Sequence, residues 1–161
     1  MIKQIIASVS LLLNIACGEQ VEELTKPKIE YTKGSVQSVE LDNVVNEVLD
    51  SLPIIAPYSL PKVSLIDDLA LNVEGISAST IGVCRSLVNG KPIEILIDTG
   101  FWNRATELKK LTLVAHEMLH CMYGLDHSDK GLMYPSIHVA LHDVAVEGIE
   151  VALANALGVE L

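Results

Sequence analysis

The chain has 161 residues and a formal net charge of −10, from 11 lysine and arginine side chains against 21 aspartate and glutamate side chains. That length usually corresponds to one domain, and a hydrophobic fraction of 50% argues against a disordered chain. The acidity and an aromatic content of 4% argue against a nucleic-acid partner, which needs a basic face or a row of stacking rings.

The first 16 residues have the layout of an export signal. Lys3 supplies a positive charge, and residues 5–16 form an apolar run shorter than the roughly 20 residues that span a bilayer. The run ends before Cys17 and so resembles a bacterial lipoprotein signal, although Asn14 stands where such signals favour leucine. The resemblance implies an exported protein of the bacterial cell envelope, attached to the membrane only through lipid on Cys17. An ordinary cleaved signal, leaving a periplasmic or secreted protein, and a buried N-terminal helix are the alternatives.

The remaining chain divides by composition into two regions. Residues 17–35 lack a sustained apolar period and are predicted to be a tether, and residues 36–161 are predicted to be the folded domain. Apolar residues at helical spacing then predict a helix from Val39 to Leu52, which Pro53 ends.

Short strands are predicted for the middle of the domain. Residues 62–66, 81–88 and 93–98 are rich in β-branched and apolar side chains. The dipeptide Asn89-Gly90 between the last two segments is typical of a tight hairpin.

Helical spacing returns near residue 103 and predicts two further helices. The first carries an apolar stripe from Leu108 to Met122 and ends at Gly124, since glycine favours the left-handed conformation at helix ends. The second covers residues 138–157. Helices and strands in this order predict an α+β fold.

The most informative segment is His116-Glu117-Met118-Leu119-His120. Two histidines four residues apart lie on one face of a helix, where both imidazoles can reach one Zn²⁺ ion. Glu117 projects near such an ion without binding it and can act as general base toward zinc-bound water. The alternative interpretation of so short a pattern is a helix with two surface histidines and a glutamate.

A third ligand follows this helix closely. Because Gly124 ends the helix, the chain can turn back, and His127 can complete a three-histidine site with an open position for water. His138 and His142 are also four residues apart, but no third partner stands at a suitable spacing, so we expect them to be solvated or packed in the core.

The segments Gly124-Leu125-Asp126-His127-Ser128 and Leu132-Met133-Tyr134-Pro135 resemble the matrixin-like metzincin metalloproteases. Segments 82–84, 95–98 and 101–102 are more loosely similar to exported bacterial proteins with the same site arrangement. The resemblance implies a small twisted mixed sheet packed on an active-site helix, a Met-turn and a C-terminal helix. It also implies that Met133 packs beneath the zinc site without binding the ion. Tyr134 either stabilises the tetrahedral intermediate or packs.

The spacing departs from that family by one residue. In the metzincin pattern the third histidine follows the first by ten residues, whereas His127 follows His116 by 11, and Asp126 holds the ten-residue place. Asp126 is therefore the rival third ligand. We prefer His127, because its spacing from Gly124 is preserved, which leaves Asp126 in the turn or beside a ligand.

The other two cysteines form a candidate pair if Cys17 carries lipid. In an exported protein, a Cys84–Cys121 disulfide would tie a hairpin strand to the active-site helix. Two buried free thiols are the alternative.

The leading hypothesis is a zinc-dependent metalloendopeptidase that hydrolyses peptide bonds by Glu117-assisted attack of zinc-bound water. The ion would be held by His116, His120 and His127, and an edge of the strand pair could bind an extended substrate. The alternative is a lipid-anchored envelope protein with a structural zinc site and a non-catalytic binding role, in which Cys121 would be the fourth ligand. We expect a peptide or protein substrate, no nucleic-acid partner and a monomer.

Overall fold

The computed structural model describes residues 32, 34–54, 56, 60–86 and 92–161. The predicted signal, Cys17, most of the tether and the Asn89-Gly90 turn lie outside these residues. Within the described part the chain forms six helices and three strands. In chain order they are α1 (Val39–Asp50), β1 (Lys62–Ile66), α2 (Leu69–Asn72), β2 (Gly82–Ser86), β3 (Pro92–Asp98), α3 (Thr99–Trp102), α4 (Glu107–Tyr123), α5 (Ile137–Glu147) and α6 (Ile149–Leu157). The predicted α+β class is confirmed.

The three strands form one small mixed sheet in the order β1-β3-β2. β1 runs parallel to β3, with Val63 opposite Ile95, and β2 runs antiparallel to β3, with Cys84 opposite Ile95. One face of the sheet packs on α4 and shares its core with α1, because alternate strand residues such as Ile95 and Ile97 are fully buried there. The sheet therefore lies directly over the helix that carries the histidine pair.

Two predictions about helices need correction. The single helix predicted over residues 138–157 is two helices, because Gly148 adopts a φ of 87° and separates α5 from α6. The short helices α2 and α3 were not predicted, since four residues are too few to show a helical period. α3 begins where the Asp98 carboxylate accepts a hydrogen bond from the Phe101 N–H at 2.7 Å.

The long helix α4 has clear start and stop signals. The Thr106 side chain caps its first turn, and Gly124 ends it with a φ of 67°. Gly124 N–H donates to the His120 carbonyl at 3.1 Å, which directs the following chain back along the helix. The Lys110 Nζ atom lies 5.1 Å from the centre of the Trp102 ring, and the same ammonium group pairs with Glu40 on α1. These contacts fix α4 against the rest of the core.

Contacts to the sheet begin within the segment predicted as a tether. The Thr32 N–H donates to the fully buried Glu94 carboxylate at 3.0 Å, and Glu94 also pairs with Arg85 on β2. Val36 forms an antiparallel bridge with Leu65 on β1. In addition, no helix among the described residues combines the length and the apolar composition that a membrane span requires.

Candidate metal centre

Three histidine side chains converge at the C-terminal half of α4. His116 Nε2 lies 3.1 Å from His120 Nε2 and 3.3 Å from His127 Nε2. Tetrahedral zinc with Zn–N distances of about 2.0–2.1 Å places two ligand nitrogens about 3.3–3.4 Å apart. The spacing of the three nitrogens therefore fits one zinc-sized ion.

The opposite ring nitrogens of two histidines face backbone carbonyls. His116 Nδ1 lies 2.8 Å from the Leu132 oxygen, and His120 Nδ1 lies 2.5 Å from the Leu125 oxygen. A carbonyl oxygen only accepts hydrogen bonds, so each Nδ1 carries the ring proton. The Nε2 lone pairs of the two neutral rings therefore point toward each other. Two lone pairs 3.1 Å apart repel unless a cation lies between them, which is the arrangement that a metal ion requires. Sequence could not reveal these carbonyl partners, since any residue supplies one.

Burial keeps these rings in the form that binds metal. Loss of water lowers the pKa of His116 to about 4, although the Leu132 carbonyl opposes the shift. Burial also lowers the pKa of His120, and nearby Asp126 opposes it. Both rings are thus neutral at physiological pH, as metal ligation demands.

The turn after α4 brings His127, and not Asp126, into the histidine group. All three histidines offer ligand atoms that lie within 4.8 Å of one another. His127 is exposed, as is Asp126, whose charge acts on the pKa of His120 from outside that group. Gly124 ends α4 with a φ of 67°, so the chain reverses three residues before His127.

Glu117 is buried beside the histidines and against strand β2. Its side chain is 5% exposed, and a Cβ atom added at Gly82 would lie 2.8 Å from its Oε1 atom. Burial raises the pKa of Glu117 to about 8, and a hydrogen bond from the Cys84 backbone opposes that shift. A cation at the histidines would favour the ionised carboxylate. Gly82 was not predicted to lie beside Glu117, because its only local signal is that it is a glycine.

Beside the edge of β2 that no other described strand covers, a cleft crosses the site. Asp98 N–H donates to the Ile81 carbonyl at 2.9 Å. Because antiparallel pairs alternate, Gly82 and Cys84 then point their backbone N–H and C=O groups away from β3. Two adjacent cavities, of about 210 Å³ and about 490 Å³, make up this cleft, and both are lined by Gly82, Glu117 and His127.

The segment predicted as a Met-turn borders this cleft through Tyr134 and Pro135. Met133 is buried in the main core, and its carbonyl accepts a hydrogen bond from Ser128 N–H at 2.9 Å. The neighbouring Leu132 carbonyl contacts His116. Tyr134 is half-buried and lines the smaller cavity together with His116 and Glu117.

Cys84 and Cys121 form a disulfide that joins β2 to α4. Neither sulfur is therefore available as a thiolate. His138 and His142, the other pair at helical spacing, are exposed on α5 and do not join a metal-binding group in the described residues.

Comparison of the chain with protein-family models, with curated proteins and with solved structures finds no match.

In the metal-free protein, Glu117→Gln is expected to raise the free energy of unfolding at alkaline pH. The stabilising contribution of the neutral carboxyl is complete below the ordinary pKa of 4.5 and is lost as the pH rises through about 8. The variant should therefore gain up to about 5 kcal/mol over wild type as the pH rises through this range. Urea unfolding after dialysis against a chelator measures this gain; a gain equal at about pH 5 and about pH 9 would contradict it.

Gly124→Ala is expected to destabilise the protein by about 1–2 kcal/mol, because alanine is strained at a φ of 67°. It should also weaken zinc binding, since relief of that strain moves the turn that carries His127. Urea unfolding and zinc titration measure the two effects. Ala115→Gly, a buried change within the same helix, is the control that destabilises without moving the turn. Equal zinc affinities for the two variants would contradict the role given to the turn.

Proposed function

We propose that this protein is a zinc-dependent metalloendopeptidase. The observation that carries the proposal is the convergence of three Nε2 atoms, two of them on rings whose Nδ1 atoms are already bonded to carbonyls. This donor set leaves room for a water or a substrate oxygen, because zinc sites with three protein ligands keep an open fourth position.

Each part of the reaction falls to a residue of the cleft. Zinc held by the three imidazoles would act as a Lewis acid and lower the pKa of a bound water toward about 7. Glu117, as the carboxylate, accepts the proton of the attacking water and then delivers it to the leaving amine. Tyr134 lies in the same cavity and is the candidate donor to the developing oxyanion.

An extended peptide fits the free edge of β2. The outward-facing N–H and C=O groups of Gly82 and the C=O group of Cys84 can pair with a substrate strand, as in β-strand addition, while the Cys84 N–H is bonded to Glu117. The two cavities would receive substrate side chains on either side of the scissile bond. Such binding recognises the substrate mainly through hydrogen bonds to its backbone, which favours a protein or peptide in an extended conformation.

The alternative of a structural zinc site with a sulfur ligand has less support. Cys121, its candidate fourth ligand, is bonded to Cys84. A disulfide is also typical of proteins in oxidising compartments, which favours an exported protein. The lipid anchor on Cys17 stays a prediction.

The proposal is tested by incubating the purified protein with an unfolded protein substrate in ¹⁸O-enriched water. We expect internal cleavage, with one ¹⁸O atom in each new carboxylate by mass spectrometry. Cleavage should stop when a chelator removes the metal and return when zinc is restored. A protein that holds zinc and cleaves no unfolded substrate would contradict the endopeptidase assignment.

A further inference from the structure

Strand β2 lies against the Glu117 side chain of α4 through Gly82 and the Cys84 backbone. A Cβ atom at Gly82 would lie 2.8 Å from Oε1 and 3.0 Å from Cγ of Glu117, and 3.1 Å from Cδ1 of Leu113. Because real Cβ atoms essentially never lie closer than 3.0 Å to a neighbour, a side chain at residue 82 would displace the Glu117 carboxyl group from its present position. The backbone of Cys84 adds a hydrogen bond to the same carboxylate.

The disulfide holds the strand at this place. Cys121 follows Glu117 by four residues, so both side chains leave α4 on the side that faces β2. Within the described residues β2 pairs with β3 alone, and its other edge borders the cleft. The Cys84–Cys121 bond is thus a covalent link between the edge strand and the helix, one turn from Glu117.

We infer that Gly82 and the Cys84–Cys121 disulfide are positioning elements for Glu117, and that turnover therefore depends on the oxidation state of this cysteine pair. The inference rests on the proposed function. A dithiol reductant would supply two electrons and two protons, break the S–S bond, leave two thiols and itself become a disulfide. β2 could then move away from α4, and the Glu117 carboxylate would lose the contacts with Gly82 and the Cys84 backbone that fix its position. The three histidines lie on α4 and its following turn, so metal binding should persist.

Two variants test the inference without a reductant, and each has a control. Gly82→Ala adds one carbon against Glu117, whereas Val83→Ala changes the same strand on the face that packs toward Leu96. Cys84→Ala/Cys121→Ala removes the link, whereas Leu69→Ala destabilises the opposite face of the sheet and controls for lost stability. Zinc affinity, kcat and KM are measured for each, together with deuterium uptake of β2 in the metal-free protein.

Gly82→Ala and the double cysteine variant are expected to lower kcat by about 10- to 100-fold, as a misplaced catalytic group does, with zinc affinity unchanged. The double variant should also exchange β2 amides faster while β1 exchanges as in wild type. The two controls should keep wild-type kcat. A wild-type kcat in the double variant would overturn the inference. An inactive, zinc-loaded wild type would instead overturn the proposed function, and β2 exchange would then decide the positioning alone.

Discussion

Glu117→Gln is expected to lower kcat for peptide hydrolysis by about 10²- to 10⁴-fold, the usual contribution of a general base. Glutamine keeps the shape of the side chain beside Gly82 and can still accept a hydrogen bond from the Cys84 backbone. It cannot take a proton from water at neutral pH. The zinc content should stay at that of wild type, because all three histidines remain.

Glu107→Gln is the matched control. The change from glutamate to glutamine is the same and lies on the same helix. The Glu107 side chain, however, is exposed at the first turn and pairs with Lys110. We expect wild-type kcat for this variant. Steady-state cleavage of a quenched fluorescent peptide, with metal analysis of each sample, measures both. If Glu117→Gln kept the wild-type kcat with zinc bound, the carboxylate would not be the base.

His120→Ala is expected to lower zinc affinity by more than about 100-fold and to abolish cleavage. Loss of an outer hydrogen-bond partner alone typically costs about 10- to 100-fold in metal affinity, and His120 is itself a ligand in the proposed site. Since zinc binds the folded state, adding it should raise the unfolding temperature of wild type but leave that of His120→Ala unchanged. Competition with a chromophoric chelator measures the affinity.

His142→Ala provides the comparison for this experiment. His142 also stands four residues after another histidine, His138, but both are exposed and outside the described metal group. This variant should bind zinc as wild type does. A His120→Ala protein that binds zinc as tightly as His142→Ala would remove His120 from the site.

Local signals in the sequence account for the centre of the site. The spacing of His116 and His120 on a helix, and the glycine at residue 124, predicted both the α4 face and the turn that returns His127. β1 over Lys62–Ile66 has the predicted bounds. These features depend on residues near one another in the chain, where helical period and glycine conformation are decisive.

Contacts between residues far apart in the chain could not be predicted from such local signals. The approach of Gly82 to Glu117 joins residues 35 positions apart, and nothing in either neighbourhood indicates it. The carbonyls of Leu125 and Leu132 act through backbone atoms, which every residue has. The break at Gly148 was missed because apolar residues continue on both sides, so the period alone did not separate α5 from α6.

Zinc X-ray absorption spectroscopy of the purified protein tests the central claim most directly, because it reports the metal and its ligand atoms together. We predict about one zinc per chain with a first shell of nitrogen and oxygen at about 2.0–2.1 Å, and outer scattering from three imidazole rings. Glu117→Gln should give the same spectrum, and His120→Ala should lose it. A sulfur shell at about 2.3 Å, or a folded protein that takes up no zinc, would contradict the account.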